Sequence, residues 1–130
     1  MKITTIKHIQ ADLRRYVRSF VPPGPGAEMV CSALKADIDV SNTVAFDERG
    51  VAGAISYTVY PDRVHVFSLG SLVKGAGSKL MGTVERLAKR RRLPVTLNAT
   101  QDSSGFYTRR GYVRQPSKAK SVIPMRRELV

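Results

Sequence analysis

Hydrophobic positions along the chain recur with two periods, and the switches between those periods mark its elements. Lys2 to Ile6, with isoleucines at Ile3 and Ile6, reads as a short strand. From Asp12 to Phe20 the apolar residues Leu13, Tyr16, Val17 and Phe20 fall three and four apart, with Arg14, Arg15 and Arg18 between them. That spacing predicts a helix with one apolar face. Val21 to Gly26, VPPGPG, is a rigid break. A second helix follows from Ala27 to Ala36, with Met29, Val30, Ala33 and Leu34 on one side. Two strand-like runs, Thr43–Phe46 and Val51–Tyr60, are joined by the turn Asp47-Glu48-Arg49-Gly50. After a second turn at Pro61-Asp62, Arg63–Leu69 alternates Val64 and Val66 with His65, Phe67 and Leu69, completing an antiparallel meander. The period then lengthens. Ser78–Arg91 places Leu80, Met81, Val84, Leu87 and Ala88 on one helical stripe, which Leu93-Pro94 ends. Val95–Asn98 is a short apolar strand, Ser103–Arg110 a short helix stopped by Gly111, and Tyr112-Val113 and Ile123–Leu129 are final strands. Gln115–Ser121 reads as a polar, basic loop.

The predicted order is β-α-α-β-β-β-α-β-α-β-β in a single domain spanning residues 1–130. The helix between strands 63–69 and 95–98 has the length of a crossover joining parallel neighbours. The expected fold class is therefore α/β (α+β), a mixed, mostly antiparallel sheet with helices on both faces. No apolar run approaches the ~20 residues that span a bilayer, and the first residues lack the continuous apolar core of a secretion signal. One cysteine, Cys31, reads as core, and with His8 and His65 it makes no zinc spacing. A cytoplasmic protein without membrane contact is expected.

The sharpest local feature is a strand followed by Lys74-Gly75-Ala76-Gly77-Ser78 and then a helix. Glycines let the backbone turn tightly and approach a ligand. The unpaired N–H groups of a first helical turn attract anions, helped by the helix dipole. Lys74 and Lys79 add full charges, so the segment is a candidate pyrophosphate cradle. The glycines alone fit equally a turn that merely starts a helix. The spacing is neither a Walker loop nor a dinucleotide fingerprint.

Downstream, Leu97-Asn98-Ala99-Thr100 is followed by Phe106-Tyr107-Thr108-Arg109-Arg110-Gly111-Tyr112. With the Gly75-Ala76-Gly77 loop before the crossover helix, this stretch resembles the GCN5-related N-acetyltransferases (GNAT superfamily), and the element order agrees across nearly the whole chain. The resemblance implies a sheet splayed at its centre, with acetyl-CoA entering the wedge as cosubstrate. It implies pyrophosphate binding by backbone N–H groups of Lys74, Gly75, Ala76, Gly77 and Ser78, with Lys79 close by, and pantetheine along Leu69 and Ser71. Asn98 would hydrogen-bond the pantetheine arm, with Phe106 beside it. Tyr107 would protonate the departing thiolate while an amine attacks the thioester directly. By itself, a tyrosine beside Phe106 on a short helix reads as packing. Two positions depart from the family pattern. Leu72 stands where a Gln or Arg precedes the loop, and Arg63–Leu69 contains no carboxylate to serve as base. His65 is the titratable group on that strand, either as proton acceptor or as a half-buried strand histidine, with water as the other acceptor.

Charge adds a second question. The chain carries 22 Lys+Arg against 10 Asp+Glu, a net charge of +12. Residues 1–79 hold ten basic and seven acidic side chains, and residues 80–130 hold twelve and three, so +9 of the excess lies in the second half. Lys89-Arg90-Arg91-Arg92 suits the dipole at a helix C-terminus. Arg109, Arg110, Arg114, Lys118 and Lys120 could ring a coenzyme phosphate, face an acidic acceptor, or simply be solvated. The expected acceptor is an amine on an acidic or macromolecular partner. The alternative is a weakly catalytic basic protein of the same fold that binds nucleic acid or an acidic protein, as monomer or homodimer.

Overall fold

The structure, a computed structural model, describes residues 2–6, 40–48, 50–118 and 121–129. Among these, β1 (Lys2–Ile6), β2 (Ser41–Asp47), β3 (Gly50–Val59) and β4 (Val64–Ser71) precede helix α1 (Ala76–Arg90). Then come β5 (Val95–Ala99), helix α2 (Ser104–Arg109), β6 (Val113–Arg114) and β7 (Ile123–Arg127). The predicted helices at 12–20 and 27–36, the break between them, His8, Cys31, Arg49 and Lys120 lie outside the described residues.

The strands form a seven-stranded sheet in the order β1-β2-β3-β4-β5-β7-β6. All neighbours are antiparallel except β4 and β5, which run parallel across the α1 crossover. The fold is thus the mixed, mostly antiparallel sheet that the pattern predicts. The core lies between α1 and the sheet: Leu80, Met81, Val84 and Ala88 pack with Ile55, Val64, Val66, Val95 and Met125, all buried. Gly53 on β3 lets the helix settle close to the sheet, since a Cβ there would stand 3.0 Å from Leu80 and 3.3 Å from Ala76. No helix among the described residues is long and apolar enough to cross a membrane.

Several boundaries differ from those predicted. Gly70 and Ser71 belong to β4 rather than to the loop, because they pair with Ala54 and Gly53 on β3. Helix α1 begins earlier, at Ala76, with Gly75 as its left-handed N-cap at φ 91°. Tyr112 is not in a strand, because its N–H closes the end of α2 on Tyr107 O at 3.1 Å. Gly111, at φ 95°, makes the reversal that allows this. The last strand stops at Arg127, whose side chain turns toward Glu85.

The end of α1 is closed by Leu93 N–H to Ala88 O at 2.9 Å and Arg92 N–H to Lys89 O at 3.1 Å. This pattern needs a left-handed residue, and the position is filled by Arg92 at φ 58°, the only positive-φ non-glycine among the described residues. Arg92→Gly relieves the Cβ penalty but gives up an exposed cation at the negative helix end. A net gain of about 0.5 kcal/mol is expected. Thermal melting checks it: the variant should melt about 2 °C higher, and a lower melting point would refute the strain at Arg92.

Candidate active site

The parallel ladder between β4 and β5 is short. It runs through Val64↔Val95, His65↔Thr96 and Val66↔Leu97 and then stops. Beyond it β4 stays paired to β3, while Asn98 and Ala99 of β5 pair only with β7. The register explains the parting. Tyr57 opposes Val66 and Ser56 opposes Ser68, so Phe67 is an extra residue that bulges β4 where it leaves β5. A bulge bends its strand and sharpens the twist, which opens the sheet into a wedge.

Two cavities occupy this wedge. One, of about 280 Å³, is lined by Phe67, Leu69, Leu97, Asn98, Ser103 and Tyr107 among others. The other, of about 300 Å³, is lined by Leu69, Ser71, Gly75, Gly77, Ser78, Ser103, Phe106 and Tyr107. They share Leu69, Ser103 and Tyr107, so together they trace a channel from the splay to the start of α1. No carboxylate among the described residues lines either cavity.

The start of α1 leaves backbone donors unpaired. It has no side-chain cap and no acidic residue in its first turn. The N–H groups of Lys74, Gly75, Gly77 and Ser78 make no hydrogen bond among the described residues, whereas that of Ala76 is already bound to Val73 O at 3.0 Å. Ala76 is fully buried, so of the five predicted cradle residues it is the one turned away from the opening. A Cβ built on Gly77 would stand 3.7 Å from Phe106 and Ser71 and 3.8 Å from Leu69, inside the cavity wall. Lys74 and Lys79 are exposed. Neither lines the two cavities, although Lys79 borders an adjacent groove.

At the other end, α2 and the turn after it hold two tyrosines in contrasting states. Thr100 and Ser103 cap each other, Thr100 N–H to Ser103 Oγ at 2.9 Å and Ser103 N–H to Thr100 Oγ1 at 3.2 Å. The helix they start presents Tyr107, packed edge-on against Phe106 at 5.0 Å and Tyr112 at 5.8 Å. The Tyr112 hydroxyl donates to Glu85 Oε2 at 2.9 Å. The Tyr107 hydroxyl makes no hydrogen bond among the described residues. Since no fully buried side-chain polar atom there lacks a partner, that hydroxyl opens onto the cavities Tyr107 lines. Burial raises Tyr107 above the ordinary phenol range, so it keeps its proton at neutral pH.

His65 stands on β4 below the splay and lines neither cavity. Its Nδ1 lies 2.8 Å from Thr96 Oγ1, and its ring packs edge-on against Phe67, which does line the wedge. Burial, and then the charge of Arg63, lower its pKa below 6.5, so the imidazole is neutral at pH 7. Leu72 is 48% exposed and takes no part in either cavity. Of the basic residues after the tyrosine, Arg109, Arg114 and Lys118 are exposed, but Arg110 is turned inward to Glu85. Pattern reading overlooked Phe67, Ser103 and Glu85. The reciprocal Thr100/Ser103 cap was visible as a spacing, but the bulge at Phe67 has no compositional signal.

The arrangement suits a long ligand with an anionic end at α1 and a reactive end near Tyr107. No protein-family model and no curated protein sequence matches the chain. Solved structures do. ElaA of Escherichia coli superposes with a TM-score of 0.69 at 13% identity over 98% of this chain and 100% of that one. The PaiA N-acetyltransferase from Thermoplasma acidophilum, in complex with coenzyme A, gives 0.66 at 16% identity over 98% and 99%. Tetrahymena GCN5 gives 0.66 at 13% identity over 100% and 97%. The fold is that of the GCN5-related N-acetyltransferases.

Proposed function

We propose that this protein is an acetyl-CoA-dependent N-acetyltransferase. The observation that carries the reading is the wedge opened at Phe67, which joins an uncapped helix N-terminus to a free tyrosine hydroxyl. The residues fit the coenzyme. Free N–H groups of Gly75, Gly77 and Ser78 suit its pyrophosphate, with Lys74 and Lys79 adding charge from outside. The unpaired edge of β4 around Leu69 and Ser71, opposite Asn98, suits an amide-bearing pantetheine arm. Phe106 covers the apolar side. Likeness to a coenzyme A complex supports the same assignment.

Acetyl-CoA supplies an activated acetyl thioester. This chain's part is to hold it and to place the groups that handle two protons. Tyr107, kept protonated by burial, donates its hydroxyl proton to the sulfur as the carbon–sulfur bond breaks. The attacking amine forms the new carbon–nitrogen bond and releases a proton. Water takes that proton first, because His65, though neutral at pH 7, lines neither cavity and meets the wedge only through the Phe67 ring. The carboxylate-free walls favour a second reading, in which the coenzyme binds but turnover is slow.

Calorimetric and thermal-shift titration with acetyl-CoA tests the reading, followed by thiol release with a panel of amines. Acetyl-CoA at a hundred times its Kd should add about 2.7 kcal/mol of stability. No stabilisation at millimolar coenzyme would sink the proposal. Gly77 gives a sharper check. Gly77→Ala meets nothing closer than 3.7 Å and replaces a poor helix former, so the free protein should be as stable or better. Gly77→Val pushes methyl groups into the cavity, and acetyl-CoA should bind at least tenfold more weakly with folding unchanged. Undiminished affinity in Gly77→Val would remove the coenzyme from this cavity.

A further inference from the structure

The coenzyme cradle uses little of the basic charge, and the rest is not evenly spread. Two further cavities, of about 520 and 660 Å³, run along the outer side of α1 and share Gly82, Arg86 and Arg110. Together they form one groove. Lys79, Arg86 and Lys89 stand along its helical wall, and Arg110 and Arg127 form the other side. Lys89 lies ten residues along the helix from Lys79, a run of about 15 Å.

The centre of the groove is unusual. A Cβ built on Gly82 would lie 3.4 Å from an Arg86 guanidinium nitrogen and 4.0 Å from one of Arg110. Two guanidinium groups therefore converge over a position with no side chain. The Arg110 nitrogen is the one that binds Glu85, so the cation there without a carboxylate among the described residues is Arg86, and an anion over Gly82 would meet it. Of the carboxylates lining the groove, Glu85 faces inward to Arg110, Arg127 and Tyr112, and Glu128 is paired with Arg126. Neither neutralises Arg86 or Lys89.

We infer that this groove binds the phosphodiester backbone of double-stranded nucleic acid. Three of its five cations are arginines, whose forked donors match phosphate oxygens. Among the described residues the groove has no aromatic side chain on which an unpaired base could stack, so the contact reads backbone charge rather than bases. An acidic peptide would want an apolar anchor, and the groove's apolar lining, Ile3 and Leu129, is already packed against the core. The groove adjoins the coenzyme cavity at Ser78 and shares Lys79 with the cradle, so its test rests on Arg86 and Lys89, which touch neither wedge cavity.

The test is fluorescence anisotropy with a labelled mixed-sequence duplex, as DNA and as RNA, across a salt series. Logarithmic affinity should fall with logarithmic salt at a slope of roughly −3, for about three phosphates neutralised. Arg86→Gln and Lys89→Gln should each weaken binding roughly tenfold at 0.1 M salt and flatten the slope by about one. Arg114→Gln and Lys118→Gln should change neither. Equal losses in all four variants, or none in the first two, would overturn the groove in favour of diffuse charge. Tighter groove-dependent binding of a polyglutamate peptide would overturn nucleic acid as the partner. A preference for CoA over dephospho-CoA that Arg86→Gln abolishes would reassign the groove to the coenzyme's 3′-phosphate. Acetyl-CoA stabilisation unchanged in both groove variants is the expected companion result. Its absence in the parent protein would defeat the enzyme reading and leave the groove standing.

Discussion

Glu85→Ala is expected to lower the melting temperature by about 10 °C, reflecting a stability loss of about 3 kcal/mol. Glu85 sits in the middle of α1, only 8% exposed, between Val84 and the rest of the buried stripe. Its carboxylate binds Arg110 at the end of α2, Arg127 at the end of β7 at 3.0 Å, and the Tyr112 hydroxyl at 2.9 Å. One side chain thus ties the crossover helix to three later segments. Removing one partner of a buried ion pair costs about 3–5 kcal/mol, because the other charge is stranded. Here two arginines would be left, but their side chains are 22% and 33% exposed. They can turn toward water, which places the expected loss at the lower end. Glu85→Gln keeps the shape and an acceptor for Tyr112, and should lose about half as much. Circular dichroism melts of both variants decide the matter. A fall of less than 3 °C for Glu85→Ala would show that the network is not a latch.

The same network has a consequence at alkaline pH. Tyr107 is raised by burial, and Tyr112 by burial and by the charge of Glu85. In the unfolded chain both ionise near 10, while the fold holds them neutral. Their contribution is complete below pH 10 and declines as pH rises above it, so alkaline unfolding should set in there. His65 works in the opposite sense. Its lowered pKa means the unfolded chain takes up a proton near 6.5 that the fold resists, and stability falls as pH drops through that range.

Most of the described fold was legible because its signals are local. The stripe Leu80, Met81, Val84 and Ala88 is buried as its spacing predicts, and Gly111 does stop α2 in a left-handed turn. The loop glycines were legible for the same reason, since Gly75 takes a conformation that glycine favours. What escaped is what depends on two segments at once. The wedge arises from the offset of β4 against β3 at Phe67, and no feature of Phe67 itself announces a register shift. Glu85 escaped because a charge inside an apolar stripe looks like an interruption until Arg110 and Arg127 arrive from elsewhere in the chain. His65 illustrates the converse. Its residue type suits a base, yet only the strand pairing reveals that its ring meets Thr96 and Phe67 and not the cavity.

Tyr107→Phe should lower kcat about 10²- to 10³-fold while the KM for acetyl-CoA stays within about twofold. The phenyl ring of the variant keeps the edge-on contacts with Phe106 and Tyr112, so neither the melting temperature nor coenzyme binding should move. On the proposed mechanism only the proton for the departing sulfur is lost, and that proton matters in the transition state alone. This separates Tyr107 from its neighbour. Tyr112 spends its hydroxyl on Glu85, so Tyr112→Phe should act on stability before it acts on rate. The pH profile gives an independent reading. Because burial raises Tyr107, wild-type kcat should show no alkaline fall due to this residue up to about pH 10. If His65 relays the amine's proton, the acidic limb of kcat should instead follow a group titrating below 6.5 and persist in Tyr107→Phe. A Tyr107→Phe enzyme retaining more than half of the parent kcat would reduce the tyrosine to a packing residue. The wedge would then have to supply the sulfur's proton from water or from Ser103, which lines both cavities.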